Sequence, residues 1–539
     1  MDVLNLLPVC ALYPEIHYTF RTGFSLLKKW QPEILADVPF RVDPNEKIPV
    51  LCLFKDSCLY PTQIKKIEIC LSSAHHSSQY SFPILHQLKR DQFFSKIFWI
   101  TPPEKDYGFL TITVDFYLKG RFFHYHIRND NFRFLSHAPF TVYRAKDKLP
   151  ADSQWYYGDA HAHSAYTNDQ VEFGAPLTDL VLISKAAGLA WIGITDHSYD
   201  LDDALDNPLR HDPSLPKWHQ FLEEVKHLNS NHEVLLIPGE EISCGNVNRK
   251  NIHVLAYNLS HLIPGFGDSG EVYFQNAPTL PLSKVLERVQ EQNGLAFASH
   301  PQDDVRWPES YVLRRQAWQD QDLVSKGLTG IQIWNGKHSG HLRKHLKKWT
   351  DLLLHGKKLV ILGGNDSHGN FNRSRKVTLP LFKLAENQEQ IFGKVRTCAY
   401  VPEFNLKNLL RAIQLGNTLV TDGPFVTFRI GDGSRSANLG ESLNSKEILK
   451  VQVRAISTEE FGKIKQIQLI LGDLNKKQEK VLKNWEENEL KSSLKEDYSL
   501  ALPPIEFSAY LRLEAVSQKD LKIHYCITNP IWLNDFPNP

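Results

Sequence analysis

Two histidines separated by one residue are the first feature of this sequence that could do chemistry. The stretch YYGDAHAHSAYTND, residues 156–169, contains His161 and His163, and Asp169 follows six residues later. Alternate residues of a strand face the same side, so both imidazoles should point at one place, and a loop can bring Asp169 back towards it. Converging imidazole nitrogens offer a metal ion neutral ligands. The pair alone proves little in a chain with 23 histidines.

The same residue types recur where the next short apolar segments end. Segments 191–195, 233–238, 252–257, 295–299, 330–334 and 358–362 have the length and composition of buried parallel strands. Side chains that could bind a metal lie in or after them: Asp196, His197, Glu240, Glu241, His253, His300, Asp366 and His368. In a barrel of parallel strands all the carboxyl ends meet at one rim. The sequence therefore predicts a polynuclear metal site.

The residue types favour hydrolysis. Imidazole and carboxylate without thiolate is a ligand set suited to zinc, manganese or iron. A bridging carboxylate can hold two cations about 3.5–4 Å apart, close enough for one hydroxide to lie between them. Glu240 and Glu241 are the candidates for that bridge, and neighbouring strand residues face opposite sides, so one of them should point into the site.

Between these segments the sequence predicts helices, which makes residues 151–415 an α/β domain, either a doubly wound sheet or a barrel. Apolar residues repeat at helical spacing in 177–187, 282–289 and 406–415, and Gly188 and Gly416 stand at two of the expected helix ends. Residues 1–150 and 416–539 contain short strand-like segments and turns, which predicts a β-sandwich domain on each side. The Lys- and Glu-rich segment 473–497 is interpreted as a solvated insertion.

Composition narrows the class of protein. The formal net charge of +1 gives no basic field for nucleic acid or for an anionic membrane surface. The start of the chain lacks the pattern of a signal peptide, and no apolar stretch is long enough to span a bilayer. Seven scattered cysteines without a CxxC pair favour reduced thiols, so a cytoplasmic location is expected.

Taken together, the motifs GDAHAH, TDH, PGEE, HVLAY, SHP and NDSHG resemble those of the PHP (polymerase and histidinol phosphatase) superfamily, above all its CehA/McbA-type metallohydrolases. The resemblance is strong over residues 155–368. Residues 416–425 and 528–530 resemble a C-terminal module often attached to such proteins, whereas the first 150 residues match loosely. The resemblance implies a distorted (β/α)7 barrel, a TIM-like fold, flanked here by the two β-sandwich domains.

The resemblance also implies a ligand set for two or three divalent ions, zinc, manganese or iron. The first ion would be held by His161, His163, Glu241 and Asp366, the second by Glu241, His253 and His300 with Glu241 bridging, and the third by Asp169, His197 and His368. Asp169 occupies a position that is often histidine or aspartate in relatives. Gln332 stands where relatives often have glutamate, which leaves the rim less negative.

The implied activity is that of a metal-dependent phosphoesterase acting on a small or medium phosphoester. Two cations that share a water lower its pKa from 15.7 to about 7, and the resulting hydroxide attacks phosphorus in line. Arg306 and Arg373 are the expected phosphate partners. Asp196, like Asp159, is expected either to orient ligand imidazoles beside His197 or, equally well, to make hydrogen bonds in the core. His338, His341 and His345 are interpreted as part of a basic helix.

Two alternatives stay open at this point. The same site could hydrolyse a carbamate, an amide or a carboxylic ester, since a metal hydroxide also attacks carbonyl carbon. The chain could instead be a non-catalytic binding or scaffolding protein in which the barrel is structural. A complete set of potential ligands argues against that reading, and Gln332 argues for it. The sequence does not fix the oligomeric state.

Overall fold

The computed structural model describes residues 32–534 apart from short gaps. The gaps are residues 56, 58–59, 61, 89–92, 105, 121–122, 132–136, 169–173, 231–232, 270–275, 306–309, 312, 338, 374, 380–381, 388, 487–488 and 491–493. Three residues with expected roles, Asp169, Arg306 and His338, lie outside the described residues.

The first part of the chain forms two sheets around one core. Its strands are β1 (Glu33–Asp37), β2 (Arg41–Val42), β3 (Ile48–Lys55), β4 (Thr62–Ser72), β5 (Ser77–Leu88), β6 (Phe93–Ile100), β7 (Gly108–Lys119), β8 (His124–Arg128) and β9 (Phe140–Arg144). One sheet has the order β1-β3-β6, and the other has the order β2-β9-β7-β4-β5 with β8 on β7. Alternate residues of β4 and β7 are buried, so Ile67 and Val114 lie in a core shared with Phe54.

The middle of the chain carries most of the helices. Its elements in order are β10 (Trp155–His163), α1 (Leu177–Ala187), β11 (Trp191–Ile194), α2 (Ser198–Leu201), β12 (Asp203–Ala204), β13 (Asn207–His211), α3 (Pro216–Asn229), β14 (Leu235–Gly245), β15 (Asn251–Tyr257), α4 (Leu282–Glu291), β16 (Leu295–Ala298), α5 (Asp320–Leu323), β17 (Gly330–Asn335), α6 (Ser339–Leu354), β18 (Val360–Gly364), β19 (Ser367–His368), β20 (Arg375–Leu379), β21 (Phe382–Asn387), β22 (Arg396–Tyr400) and α7 (Leu406–Leu415). The three predicted helices are confirmed as α1, α4 and α7. Left-handed Gly188 and Gly416 end α1 and α7, where a side chain would be strained.

The last part of the chain is again made of strands. They are β23 (Thr418–Thr421), β24 (Phe425–Gly431), β25 (Ser436–Ala437), β26 (Ser442–Leu443), β27 (Leu449–Ile456), β28 (Lys463–Asp473), β29 (Gln478–Glu486), β30 (Lys495–Leu502), β31 (Ala509–Lys519), β32 (Lys522–Thr528) and β33 (Ile531–Leu533). The solvated insertion expected at 473–497 is wrong in part, because β29 lies within it and pairs with β28 over eight positions.

One large sheet carries the candidate site and continues into the last part of the chain. Its order is β18-β17-β16-β15-β14-β11-β10-β22-β23-β32-β31-β28-β29. β19 begins shortly after β18 and pairs with β10 in parallel, which brings residues 364–368 beside the two histidines of β10.

The predicted distorted (β/α)7 barrel is wrong. Among the described residues, strands account for 45% and helices for 16%, so this part of the chain is mainly β rather than an alternation of strands and helices. β14 runs directly into β15 through residues 246–250 without a helix, and β15 is antiparallel to both of its neighbours. β22 then adds to β10 as an antiparallel strand and extends the sheet. The length and apolarity of a segment indicate a buried strand, but they carry no information about its direction.

Asn529, which lies between β32 and β33, makes hydrogen bonds to the sheet that carries the site. Its buried amide oxygen accepts from the backbone N–H of Ile361 (3.0 Å), and its amide nitrogen donates to the hydroxyl (2.7 Å) and carbonyl (3.1 Å) oxygens of Thr418. These bonds join β18 and β23.

We predict that Asn529→Ala lowers the free energy of unfolding by about 3 kcal/mol, because three buried hydrogen bonds are lost at about 1 kcal/mol each. Urea denaturation measures this loss. Asn438→Ala, at an exposed asparagine, is the matched control and should change stability by less than about 0.5 kcal/mol. Equal stability losses in the two variants would contradict the role assigned to Asn529.

Candidate metal centre

Strand β10 presents both of its histidines to the same side. His161 and His163 are fully buried, and the alanines that alternate with them face the opposite side. The chain after β18 passes very close to this point. A β-carbon on Gly364 would lie 2.5 Å from the backbone nitrogen of His161, so only glycine allows the approach that brings Asp366 to the histidines.

Four side chains form the first cluster, group A, which consists of His161, His163, Glu241 and Asp366. The Nε2 atoms of His161 and His163 are 3.3 Å apart. Oε2 of Glu241 lies 3.4 Å and 3.5 Å from these two nitrogens, and Oδ1 of Asp366 lies 3.4 Å and 3.2 Å from them.

The shape of group A fits a metal ion. A regular tetrahedron with edges of about 3.3 Å has its centre about 2.0 Å from each corner, which is the usual length of a bond from zinc to nitrogen or to a carboxylate oxygen. Oε2 of Glu241 is buried and has no hydrogen-bond partner among the described residues. A buried carboxylate oxygen without such a partner is costly unless a cation binds it.

The other oxygen of Glu241 belongs to the second cluster, group B, which consists of Glu241, His253 and His300. Oε1 of Glu241 lies 3.0 Å from Nδ1 of His253 and 3.3 Å from Nε2 of His300. The hydroxyl of Ser299 donates to the same oxygen at 2.8 Å. Glu241 therefore faces group A with one oxygen and group B with the other, which is the arrangement of a bridging carboxylate. The side chain of His300 is 23% exposed and gives group B an open side.

A third cluster, group C, consists of His163, His197 and His368. Nδ1 of His163 is engaged by the hydroxyl of Thr167 at 3.2 Å, so its Nε2, which belongs to group A, is the nitrogen left for a metal. His163 therefore cannot serve both groups at once. An independent third site would need His197 and His368 with a further ligand, and Asp169, the residue expected there, lies outside the described residues.

Neighbouring polar groups fix the orientation of the ligands of group A. The amide oxygen of Gln332 accepts from Nδ1–H of His161 (3.1 Å) and from the backbone N–H of His300 (3.3 Å). In the neutral ring, this bond leaves Nε2 of His161 without a proton and directed at group A. The side-chain amides of Asn335 and Gln390 donate to Oδ2 of Asp366 at 3.2 Å and 2.8 Å, which leaves Oδ1 for the group.

Charges inside the cluster shift the pKa values of its members in opposite directions. Burial would raise the pKa of Glu241, but the charges of His253 and His161 hold it well below its usual value. Burial lowers the pKa of His163, but the neighbouring carboxylates of Asp366 and Glu241 raise it to about 10. Burial likewise lowers the pKa of His253, and the charges of Asp268 and Glu241 raise it to about 9. Burial and the charge of His163 push the pKa of His197 well below its usual value. Glu241 is therefore ionised, and in the metal-free protein the protons on His163 and His253 supply the positive charge that a bound cation would supply.

Two site residues have an unusual backbone conformation. His300 has a φ of 28° and Asp366 a φ of 52°, both in the left-handed region that residues other than glycine rarely adopt. The backbone N–H of Asp366 donates to the carbonyl of His161 at 2.8 Å, which holds this turn against β10. Backbone strain of this kind often accompanies functional sites.

The two glutamates of PGEE have different surroundings. Glu241 joins groups A and B, whereas Glu240 accepts from the backbone N–H of Ile263 at 2.8 Å. Burial raises the pKa of Glu240 to about 8.

The two aspartates expected near the ligands accept hydrogen bonds from the backbone. Asp196 accepts from the N–H groups of Ser164 (2.7 Å) and Thr167 (3.0 Å), so it holds the loop after β10. Asp159 accepts from the backbone of His161 and Asn365.

Of the two arginines expected to bind phosphate, the one that the structure describes, Arg373, does not line the clusters. Arg373 is buried, with its Nε 3.0 Å from Oδ2 of Asp37 and one terminal nitrogen donating to the carbonyls of His368 and Gly369. It ties β1 to the loop that follows His368. Arg306 lies outside the described residues.

Sequence reasoning missed one charged pair beside group B. Asp268 lies 2.8 Å from Nε2 of His253, and Nε of Arg315 lies 2.5 Å from the same carboxylate oxygen. Both come from long connections between strands, and neither lies in a patterned segment or at a strand end. Only the spacing of histidines and acids at strand ends was readable, so nothing in the sequence marked this pair. Arg315 also lines a small cavity of about 50 Å³ with His253, His300 and Trp318.

No protein-family model and no curated protein matches the chain. Solved structures that match include a beta-glucuronidase 2 of Bacteroides uniformis, at 9% identity and a TM-score of 0.18, over 93% of this chain and 61% of that one. A Paenibacillus sp. cycloisomaltooligosaccharide glucanotransferase matches at 9% identity and a TM-score of 0.17, over 92% of this chain and 71% of that one. The chain therefore spans less than two thirds of the length of that glucuronidase. TM-scores this low demonstrate neither a shared fold nor a shared chemistry.

Among the helices of the described residues, none combines the length and the hydropathy needed to cross a membrane. The clusters themselves show buried His, Glu and Asp groups with the geometry to bind metal.

We predict that metal binding releases protons and strengthens with pH. With pKa values of about 10 and about 9, His163 and His253 are protonated at neutral pH in the metal-free protein, and a metal ion must displace those protons. Apparent affinity should therefore rise with pH by about one log unit per pH unit for each proton released, until the pKa is reached. Titration calorimetry in buffers of different ionisation enthalpy measures the protons released. Heats that do not depend on the buffer, with an affinity that does not change with pH, would contradict this prediction.

Proposed function

We propose that the protein is a metal-dependent hydrolase, a phosphoesterase that uses a pair of divalent ions held by groups A and B. The proposal agrees with the motifs that resemble those of PHP-type metallohydrolases. It takes zinc, manganese or iron as the metal, because the ligands are imidazoles and carboxylates without a thiolate. A third ion at His197 and His368 is part of the proposal only if Asp169 completes that site.

One observation carries the proposal: the two oxygens of Glu241 face two different clusters. Oε2 lies 3.4 Å from Nε2 of His161, and Oε1 lies 3.0 Å from Nδ1 of His253. A carboxylate in this position supports two ions at the short separation that activates one shared water. When bound, such a pair supplies hydroxide at neutral pH and withdraws charge from the oxygens of the substrate.

The protein's own groups prepare the site for this chemistry. Gln332 and Thr167 bind the outer nitrogens of His161 and His163 and so direct their Nε2 atoms inward. Ser299 holds the carboxylate of Glu241 through a hydrogen bond at 2.8 Å. Because these partners are buried, the ligands are held in one arrangement before an ion or a substrate binds.

The open side of the site is at group B. Group A offers four protein ligands, which is the number of a closed tetrahedral site, whereas group B offers three and leaves a position for water or substrate. The partly exposed His300 and the guanidinium of Arg315 border the cavity there. The guanidinium is ion-paired with Asp268, so the choice of a phosphoester over a neutral carboxylic ester rests on the motif resemblance and is tested by assay.

Gln332 no longer argues for a structural, non-catalytic protein. Its amide oxygen accepts bonds from groups of both clusters, and its nitrogen donates to Asn335 at 2.8 Å. A neutral amide therefore performs an orienting task that a decayed site would not need. The alternative substrate class, carbamates, amides or carboxylic esters, is distinguished by assay.

We predict that the protein, stripped with a chelator and reloaded with manganese or zinc, hydrolyses p-nitrophenyl phosphate or bis-p-nitrophenyl phosphate faster than aryl carboxylic esters. His161→Ala should lower kcat/KM by more than about 100-fold, because loss of a ligand should exceed the 10–100-fold effect of losing a ligand's partner.

His355→Ala is the matched control, since this histidine is half exposed and contacts Asp351 on α6. It should leave both the activity and the metal content unchanged. Hydrolysis confined to carboxylic or carbamate esters would contradict the phosphoester assignment. Activity that survives both chelation and His161→Ala would contradict the whole proposal.

A further inference from the structure

Behind His253 lies a buried carboxylate that takes no part in the clusters. Asp268 is 1% exposed, and its Oδ2 lies 2.8 Å from Nε2 of His253. On the other side of the ring, Nδ1 of His253 lies 3.0 Å from Oε1 of Glu241. The imidazole is therefore held between two carboxylates, one inside group B and one outside it.

We propose that Asp268 is a positioning residue for group B, acting through His253. The proposal rests on the proposed function in one respect, that group B holds a metal ion. Nε2–H of His253 donates to Asp268, so the neutral ring carries its proton on Nε2 and presents a bare Nδ1 to the metal. The negative charge behind the ring also makes Nδ1 a stronger donor.

The surroundings of Asp268 keep it ionised and in place. Nε of Arg315 donates to Oδ2 at 2.5 Å, and the hydroxyl of Ser243 donates to Oδ1. Ser243 lies on β14 directly opposite His253 on β15, so the pairing of these strands sets the position of the carboxylate. Burial would raise the pKa of Asp268, but the charges of Arg315 and His253 hold it well below its usual value.

Groups A and B differ in what the outer nitrogens of their imidazoles contact. The outer nitrogens of the group A imidazoles meet neutral oxygens, those of Gln332 for His161 and Thr167 for His163. The outer nitrogen of His253 meets a carboxylate. Group B has fewer protein ligands than group A, so a stronger imidazole donor offsets part of that deficit. Removing Asp268 should therefore affect group B selectively.

A purely structural role of Asp268 would lead to a different result. If Asp268 were only one half of a buried ion pair, removing either partner would destabilise the fold, and neither change would act on one metal site alone. Arg315→Gln is therefore the matched comparison for Asp268→Asn. The glutamine keeps a donor for the carboxylate, and the loss of a positive charge near group B does not weaken its hold on a cation.

The experiment is a cobalt(II) titration of the full chain, followed by visible absorption and by calorimetry. We expect wild type to bind one ion at each group. Asp268→Asn should weaken the group B ion by about 10–100-fold and change its absorption band, while the group A ion keeps its affinity. Retained binding at group A also reports that the variant is folded. Arg315→Gln should weaken the group B ion less than Asp268→Asn does, because the carboxylate remains and the glutamine can donate to it.

The outcomes separate this inference from the proposed function. Absence of cobalt from wild type would overturn both. Two ions bound with unchanged affinity in Asp268→Asn, or equal losses in Asp268→Asn and Arg315→Gln, would overturn the role of Asp268 alone. If Asp268→Asn does not fold, Ser243→Ala tests the inference in its place, because it removes one hydrogen bond to Asp268. It should weaken group B selectively, and unchanged group B affinity in that variant would overturn the inference.

Discussion

The rest of the site depends on a charge that the fold buries at its centre. The Glu241 carboxylate is 1% exposed, and imidazoles from several elements approach its two oxygens. An isolated buried carboxylate costs several kcal/mol, so the surrounding positive or metal-binding groups are a condition of its ionisation. Each element of the sheet around it contributes one part: β10 both histidines, β14 the carboxylate itself, β15 His253, and the turn after β18 Asp366. Losing the register of any of these strands would separate the ligands.

The metal-binding residues at strand ends could be predicted from the sequence because few types of side chain can bind a metal ion. A histidine or acid in or just after a short apolar segment is exceptional in a core, and its presence at six of the seven segments between residues 156 and 362 indicated converging ligands. The structure brings His161, His163, Glu241 and Asp366 within the reach of one ion. The helix ended by Gly416 was readable for a similar local reason, since a left-handed glycine stops a helix whatever surrounds it.

The direction of each strand could not be predicted from the sequence, and this is why the predicted (β/α)7 barrel is wrong. β15 is as apolar as a parallel strand, yet it follows β14 after a few residues and runs antiparallel to it. The expected solvated insertion failed because an edge strand such as β29 also leaves charged residues, here Lys480 and Glu486, exposed to solvent. The groups that orient the metal ligands could not be predicted from the sequence for a different reason. Asp268 and Gln390 reach the site from long connections, and their roles depend on distances that only the folded chain defines.

Arg373 shows the limit of reading a function from position alone. It follows the last metal-binding motif, where a phosphate partner is expected, but its guanidinium binds Asp37 and the loop after His368. A buried arginine with these bonds fixes the shape of the site and is not exposed to a substrate. The backbone N–H groups of Phe371 and Asn372 in the same loop donate to the Asp37 carboxylate, so the first part of the chain supports the site from outside.

The most direct test of the account is anomalous diffraction from crystals of the protein loaded with zinc or manganese. The account predicts two strong peaks about 3.5–4 Å apart, one on each side of the Glu241 carboxylate. The first should lie among His161, His163 and Asp366, and the second beside His253 and His300. A single peak that Glu241 does not touch, or metal bound only at surface histidines, would contradict the bridged pair on which the proposed function depends.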